Sequence, residues 1–478
     1  MVRTGAAILA KSKIGIQKEL DRQNINGALD LIHMAARMLY VENQCFVDED
    51  LESWLQQIAE KLNPIHQTRF DPDVVLFYDG FGYNNRGLAR IYLKALTKVK
   101  RVIYVCDERA KDRIPDLLRI LSEYTVIFLK EEGHLSRIQE IAAVVEQCSA
   151  SSLIFYSYPE DVDGEVILNA YRGKRILINL TDDAFWLGSG AIDTCIEFRD
   201  LGANISRLYR EFGESVSVVK IPMYPIIDRE KAFQGFPFPA DEKKVVFSGG
   251  GLYKTFGQGN LYYRIVDYIL SAHEDVIFWY AGEGDSSELD KMIRKYPGRA
   301  FHTHERADLY QVLQHCCFYL NTYPLCGGLM MQYAAEAGKV PLTLRFEHDS
   351  DGILLNQEEL GIVCETFDKM KKEIDLLVTD PDYNETKSGL MRDAVVSEMN
   401  FNRAVEKLLI ENETGFPIVD SKPDITEFRK MYLDNIKEGE YNRIIAREGG
   451  TAGFRLFPVR YMLGEADRIT KTIRKKTH

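Results

Sequence analysis

A glycine pair ahead of an apolar helix is the first feature of this sequence that could do chemistry. Residues 318–344 read FYLNTYPLCGGLMMQYAAEAGKVPLTL, which predicts a strand, a turn, a helix and a second strand. Glycines at a helix start let backbone N–H groups approach an anion, and the aligned peptide dipoles favour negative charge there. The segment is predicted to hold a phosphate or diphosphate, although an ordinary strand-turn-helix connection has the same pattern. The backbone donors would come from Gly327, Gly328, Leu329 and Met330.

A second glycine-rich segment lies upstream and carries a cation. Residues 243–257 read KKVVFSGGGLYKTFG, which predicts a buried strand followed by Gly249, Gly250, Gly251 and Lys254. One loop supplies flexible backbone and a positive charge, and the other supplies a helix N-terminus. Both are therefore predicted to bind the same anionic ligand.

The two segments together resemble the C-terminal catalytic half of the soluble O-GlcNAc transferase family. In that family an LYK segment follows a strand, and a DT(Y/F)P…GG/GHTT…G-P segment follows further along. The matching residues here are Leu252, Tyr253, Lys254, Thr322, Tyr323, Pro324, Gly327, Gly328 and Pro341. The resemblance covers residues 245–344. It implies a glycosyltransferase in which Lys254 and the amides of the second loop grip the diphosphate of a nucleotide sugar.

This sequence departs from the family pattern at two places. The family's threonines after the glycines are replaced by Leu329, Met330 and Met331, so only backbone donors remain there. The family's acidic residue that holds the ribose falls at Ala334, which leaves Glu336 as the nearest substitute.

Two adjacent carboxylates are the candidates for a general base. Asp182 and Asp183 follow the predicted strand RILINL and precede Trp186, which is expected to contact the acceptor. A carboxylate at the carboxyl end of a strand beside a cleft is where a base for an acceptor hydroxyl would lie, although helix capping would use the same residues. The segment also resembles an N-terminal motif of bacterial polysaccharide glycosyltransferases, in which a histidine often stands where Thr181 stands here.

Polar residues after the first predicted strand are candidates for acceptor binding. The segment FYDGFGYNNRGLAR places Asn84, Asn85 and Arg86 between a strand and its helix, where asparagine could also act as a helix cap. Its glycines lack the spacing of a dinucleotide-binding fingerprint, so a nicotinamide cofactor is not expected. No cofactor is predicted, because the nucleotide sugar is a substrate.

Histidine and aspartate pairs raise the question of a metal. His302 and His304 precede a predicted helix, but no third ligand has suitable spacing, so His304 is instead predicted to line the donor site beside the nucleotide base. The triplets Asp161/Asp163 and Asp349/Asp351 could bind a divalent ion, but they lie in turn-like sequence and are predicted to be solvated turns. No metal site is therefore predicted.

Composition limits the class of protein. The chain has 478 residues and a net charge of -12, which argues against broad nucleic-acid binding. Its eight cysteines are scattered without regular spacing, as in a reduced cytoplasmic protein. No apolar stretch is long enough for a transmembrane helix. The basic C-terminal end, RKKTH, leaves peripheral membrane contact possible.

The order of predicted elements indicates an α/β fold with two Rossmann-like domains. Buried strands alternate with helices in two blocks that a proline-rich stretch separates. The predicted parts are a helical extension at 1–66, an acceptor domain at 67–225, a linker at 226–242, a nucleotide-sugar domain at 243–410 and a helical segment at 411–478. This is the GT-B layout, in which the terminal helical segment could cross back to the first domain and ligands bind between the domains.

The sequence thus predicts a metal-independent, cytoplasmic glycosyltransferase with a glycan or protein acceptor. Asp182, Asp183 and Lys254 are the candidate catalytic residues. Two alternatives remain: a sugar-nucleotide epimerase, which would need no acceptor, and a non-catalytic GT-B subunit that binds an acceptor protein for a partner transferase.

Overall fold

A computed structural model describes residues 2–82, 88–121, 125–210, 212–411, 415–437 and 439–476. Within them the chain forms two parallel sheets with helices on both faces, which confirms the predicted α/β fold. Continuous runs of valine, isoleucine and aromatic residues form the strands, and β9 at Val276–Ala281 is buried along its whole length.

The first sheet has the strand order β3-β2-β1-β4-β5-β6-β7, with neighbouring strands parallel. The order reverses between β1 and β4, where a crevice opens at the carboxyl ends of the strands. Its strands are β1 Asp71–Asp79, β2 Arg101–Asp107, β3 Thr125–Leu129, β4 Ala150–Tyr156, β5 Lys174–Ile178, β6 Thr194–Glu197 and β7 Ser217–Lys220.

The second sheet has the order β10-β9-β8-β11-β12-β13, also parallel, and reverses between β8 and β11. Its strands are β8 Lys244–Gly249, β9 Val276–Ala281, β10 Ala300–Thr303, β11 Phe318–Leu320, β12 Pro341–Leu344 and β13 Val363–Cys364.

Helices connect the strands of each sheet. Those of the first domain are α4 Leu88–Leu96, α5 Pro115–Ile120, α6 His134–Cys148, α7 Val162–Ala170 and α8 Asp200–Tyr209. Those that follow the strands of the second are α9 Leu261–Ala272, α10 Ser287–Lys295, α11 Leu309–Gln314, α12 Gly328–Glu336, α13 Phe367–Thr379, α14 Pro381–Gly389 and α15 Glu398–Ile410.

The two ends of the chain form one helical layer against the first domain. The layer contains α1 Val2–Asp21, α2 Ile25–Glu42, α3 Glu49–Leu62, α16 Thr426–Asp434, α17 Glu440–Glu448, α18 Gly450–Leu456 and α19 Pro458–Lys476. Helix α2 lies at its centre, and packs against α1, α17 and α18 as well as α6 and α7. Among the residues described, no helix is both long and apolar enough to cross a bilayer.

The chain returns to the first domain earlier than expected. It does so at α15, inside the segment predicted as the second domain, and the terminal helices beyond residue 425 pack on the first-domain side as well. The buried ring of Phe401 packs 5.0 Å from that of Tyr92 on α4 and 5.3 Å from that of Tyr224. Helix α15 therefore belongs to the core of the first domain, although it follows the strands of the second domain in the chain.

Candidate functional site

A cavity of about 1730 Å³ lies between the two sheets, at the carboxyl ends of their strands. Its walls include the loops after β1 and β4 in the first domain and the loops after β8 and β11 in the second. The strand order of each sheet reverses at these points, which is where ligands of open α/β sheets bind. The helical layer supplies a further wall.

The N-terminus of α12 presents unused backbone donors to this cavity. The N–H of Gly327 donates to Oδ1 of Asn321 at 3.0 Å, and the N–H of Cys326 donates to Oδ2 of Asp349. The next N–H groups, those of residues 328–330, have no acceptor in the described part of the chain. Gly328 lines the cavity. These amides and the helix dipole make an anion-binding position.

Lys254 brings a positive charge to the same position. It lies in a short 3₁₀ turn, Leu252–Thr255, directly after the glycine-rich end of β8. Its Nζ donates to the carbonyl oxygen of Cys326 at 2.9 Å. The structure thus brings the two predicted loops together. The residue that Lys254 contacts, Cys326, lies two positions before the start of α12.

The glycine run after β8 lets its backbone approach the end of β9. Gly250 has a φ of 120°, and its N–H donates to the carbonyl of Ala281 at 3.0 Å. A Cβ atom on Gly282 would lie 1.9 Å from the carbonyl oxygen of Gly250. Gly249 and Gly251 flank this contact. The loop that carries Lys254 is therefore held by backbone packing.

Asp182 is a structural anchor between the domains. It is buried, and both its carboxylate oxygens accept from Arg199, at 2.6 and 3.0 Å. The same guanidinium contacts the backbone and carboxylate oxygens of Asp349 in the second domain. Since Asp349 also accepts from the N–H of Cys326, this network joins the first domain to the loop that precedes α12. Asp182 is poorly placed to take a proton from an acceptor.

Asp183 has the properties of a general base. It is half-buried, lines the cavity, and its carboxylate has no hydrogen-bond or ion-pair partner among the described residues. Burial and the charge of Asp182 raise the pKa of Asp183 to about 7. A base is most effective when its pKa lies near the working pH.

A buried arginine fixes the loop that carries Asp183. One nitrogen of Arg210 donates to the carbonyls of Asp182 and Ala184, at 2.9 and 3.0 Å. Its guanidinium lies 4.6 Å from the ring centre of Trp186. Trp186 is only 4% exposed and does not line the cavity. Its predicted acceptor contact is therefore not supported, because the ring belongs to the packing under the loop.

Two predicted donor residues lie elsewhere. Glu336 is at the far end of α12, about 12 Å along the helix from Gly328, and Arg229 donates to its carboxylate. The side chain of His304 is 92% exposed, with Nδ1 lying 2.6 Å from Oε1 of Glu283. Neither residue lines the cavity.

The aspartate triplets are not solvated turns, which corrects that prediction. Asp161 is buried and caps α7 by accepting from the N–H of Gly164 at 3.0 Å. Asp349 is buried in the Arg199 network. In the part of the chain that the structure describes, no three His, Cys, Asp or Glu side chains come together in a group that could hold a metal ion.

The predicted acceptor residues Asn84, Asn85 and Arg86 lie outside the described residues. Two tyrosines of the helical layer, Tyr40 and Tyr432, line the cavity as well, although no sequence motif marks them as site residues. Burial and the charge of Asp183 raise the pKa of Tyr40 to about 12, and the same two causes raise that of Tyr432. These two tyrosines, on α2 and α16, therefore line the same cavity as Asp183 and lie near enough to be affected by its charge.

Two histidines, His33 and His134, also line the cavity. Nδ1 of His134 lies 2.7 Å from Oδ1 of Asp163. Burial opposes its protonation, but the bonds to Asp163 and Asp30 outweigh burial and raise the pKa of His134 to about 10. Burial and the charge of His134 lower the pKa of His33 to about 3. A single positive charge therefore resides on His134 near neutral pH.

Comparison with known proteins establishes the fold. The sequence matches no protein-family model and no curated protein. Its structure is similar to Anabaena Alr3699/HepE in complex with UDP, at a TM-score of 0.54 and 14% identity over 70% of this chain and 99% of that chain. A glycosyltransferase from Rickettsia africae gives a TM-score of 0.52 at 10% identity, over 77% of this chain and 100% of that one.

An O-GlcNAc transferase from Thermobaculum terrenum also matches, with a TM-score of 0.48 and 14% identity over 90% of this chain and 83% of that chain. The matches to HepE and to the Rickettsia africae enzyme confirm, at the level of the fold, the predicted resemblance to GT-B glycosyltransferases. The chain has the GT-B fold.

Proposed function

We propose that the protein is a glycosyltransferase that takes a sugar from a nucleotide sugar and passes it to a hydroxyl of a glycan or protein acceptor. One observation carries the proposal: Lys254 and the free amides at the start of α12 meet in the cavity between the domains. This arrangement suits a diphosphate, and the structurally similar HepE is described in complex with UDP. UDP is therefore the proposed nucleotide.

The proposed reaction uses two groups of this chain. The amides and Lys254 stabilise negative charge that builds on the leaving diphosphate, without a metal ion. Asp183 takes the proton of the acceptor hydroxyl as that oxygen attacks the sugar. Tyr40 and Tyr432 border the space that the acceptor would occupy.

The setting of the reaction is part of the proposal. Cysteines of the described chain are free, which fits a reducing cytoplasm. Synthesis of a bacterial surface glycan and glycosylation of a protein are two processes that a cytoplasmic nucleotide-sugar transferase could serve. We propose the cytoplasm as the compartment and one of these two processes as the role.

Isothermal titration with UDP, GDP and ADP tests the donor site, with Lys254→Ala as the variant. Loss of one charge-assisted contact is expected to weaken UDP binding by roughly tenfold to a hundredfold. Lys291→Ala is the control, because that side chain is 57% exposed on α10, away from the cavity. Equal UDP affinity in wild type and Lys254→Ala would refute the phosphate assignment.

One observation favours a non-catalytic subunit as a second candidate. The acid expected to hold the ribose, Glu336, is bound to Arg229 outside the cavity. A subunit of this kind would bind no nucleotide, so the same titration separates the two candidates. A sugar-nucleotide epimerase would bind UDP but would convert its substrate without an acceptor, which product analysis detects.

A further inference from the structure

Helix α19 exposes a continuous apolar face. We define the apolar face of α19 as Val459, Met462, Leu463, Ala466 and Ile469, which recur at helical spacing along one side. The exposed fractions of the four larger residues are 73%, 60%, 54% and 54%. This is far more exposure than large apolar side chains of a packed helix have.

The opposite side of α19 is the one that packs against the protein. Gly464 lies so close to α17 that a Cβ there would be 2.1 Å from the carbonyl oxygen of Asn442. Asp467 accepts from Arg443 at 3.1 Å, and Arg460 donates to the Asn442 side chain at 3.1 Å. A surface helix normally buries its apolar side and exposes its polar side. Helix α19 does the reverse, so its apolar face is available to something outside the chain.

The positive charge in the last turns of α19 indicates what binds its apolar face. From Arg468 to the end of the sequence there are basic residues and no aspartate or glutamate, although the whole chain has a net charge of -12. The basic residues are Arg468, Lys471, Arg474, Lys475 and Lys476. A second copy would bring two such ends together at a cost, whereas an anionic surface attracts them.

We propose that α19 docks the protein on an anionic lipid surface, with its apolar face lying among the headgroups. A helix with one apolar face and basic residues beside it binds membranes in this way. The docking does not depend on the proposed transferase activity.

Sedimentation with lipid vesicles tests the docking of the full chain. Wild type is expected to sediment with vesicles that contain phosphatidylglycerol and far less with pure phosphatidylcholine. The double variant Met462→Glu/Leu463→Glu is expected to bind anionic vesicles at least about tenfold more weakly, because two acidic groups replace the deepest apolar contacts. Met399→Glu is the control, since Met399 is 74% exposed on the distant helix α15.

An unchanged melting temperature would show that the double variant is folded. No binding of wild type to anionic vesicles, or equal binding of the double variant and Met399→Glu, would overturn the proposal.

A charge variant separates lipid from a second copy. Arg474→Gln/Lys475→Gln/Lys476→Gln is expected to weaken binding to anionic vesicles by about a hundredfold at low salt. Unchanged vesicle affinity would overturn the proposal. Light scattering completes the test, because a dimer that Met462→Glu/Leu463→Glu converts to a monomer would assign the face to a second copy instead.

Discussion

Two adjacent carboxylates, those of Asp182 and Asp183, meet very different surroundings. The first has both oxygens on Arg199, and the second faces the cavity with its carboxylate unpaired among the described residues. Other buried acids also have a raised pKa, including Glu52 at about 7. Glu52 accepts from the N–H of Gly188 at 2.9 Å and lies off the cavity. Position, more than pKa, therefore selects Asp183.

Asp183→Asn is expected to lower the transfer rate by about a hundredfold or more, because general base catalysis contributes that much. In wild type the base must be ionised, so kcat/KM should rise with pH up to about 7 and then level off. Initial rates across pH check both statements, with unchanged UDP affinity as the control. Wild-type rates in the variant would exclude Asp183 as the base.

The same substitution is expected to stabilise the fold at alkaline pH. Folding raises the pKa of Asp183 from 3.8 to about 7, so the folded state binds more protons than the unfolded state between these values. Its contribution to stability therefore falls as the pH rises through this window. Asparagine removes that loss. Thermal unfolding at pH 8 should show a higher Tm for the variant, and a Tm that falls instead would contradict the assigned pKa.

At the scale of elements, the position of Lys254 depends on backbone contacts between the loop after β8 and the loop after β9. Gly282→Ala would push a methyl group against the carbonyl of Gly250 and displace the loop that carries Lys254. We expect roughly tenfold weaker UDP binding, as for loss of one contact to a charged group. Titration of Gly389→Ala is the control, because a Cβ there meets no atom within 4 Å. Equal effects of the two variants would contradict the role of this contact.

The donor elements also predict the response to chelation. Lys254 and the amides of α12 supply positive potential of their own, so single-turnover transfer should survive EDTA. Complete loss of the signal on chelation, with recovery on adding magnesium or manganese, would instead assign the diphosphate to a divalent ion.

The glycine loops and α12 could be predicted because their signals are local. A strand, a glycine run and a lysine follow one another along the chain, and in a Rossmann-like unit this order places the lysine in the loop after the strand. The contact between Arg199 and Asp349 joins residues 150 positions apart, and no local pattern records it. The position of Glu336 could not be predicted for a different reason. The family's ribose acid falls at Ala334, and Glu336 is the nearest carboxylate in the sequence, whereas helix geometry puts it at the end of α12 away from Gly328.

At the scale of the whole molecule, α15 adds to the core of the first domain from a segment that follows the second domain in the chain. Phe401→Ala removes a fully buried ring from between Tyr92 and Tyr224. The free energy of unfolding is expected to fall by about 3–5 kcal/mol. Urea denaturation measures the change, and Met399→Ala on the same helix should alter it by less than about 0.5 kcal/mol. Similar values for the two variants would mean that the packing of Phe401 does not stabilise the first domain.

The helical layer also affects the order in which parts of the protein can fold during synthesis, because its helices come from both ends of the chain. The hydroxyl of Tyr441 on α17 donates to Glu42 on α2 at 2.7 Å, across a separation of 399 residues. At translation rates of about 5–20 residues per second, α17 is synthesised roughly 20–80 s after α2. The apolar surface that α17 and α18 cover is exposed on the nascent chain during that time, which makes it a natural place for a chaperone to bind. Because α2 and α16 carry Tyr40 and Tyr432, the wall proposed to border the acceptor is among the last parts of the molecule to form.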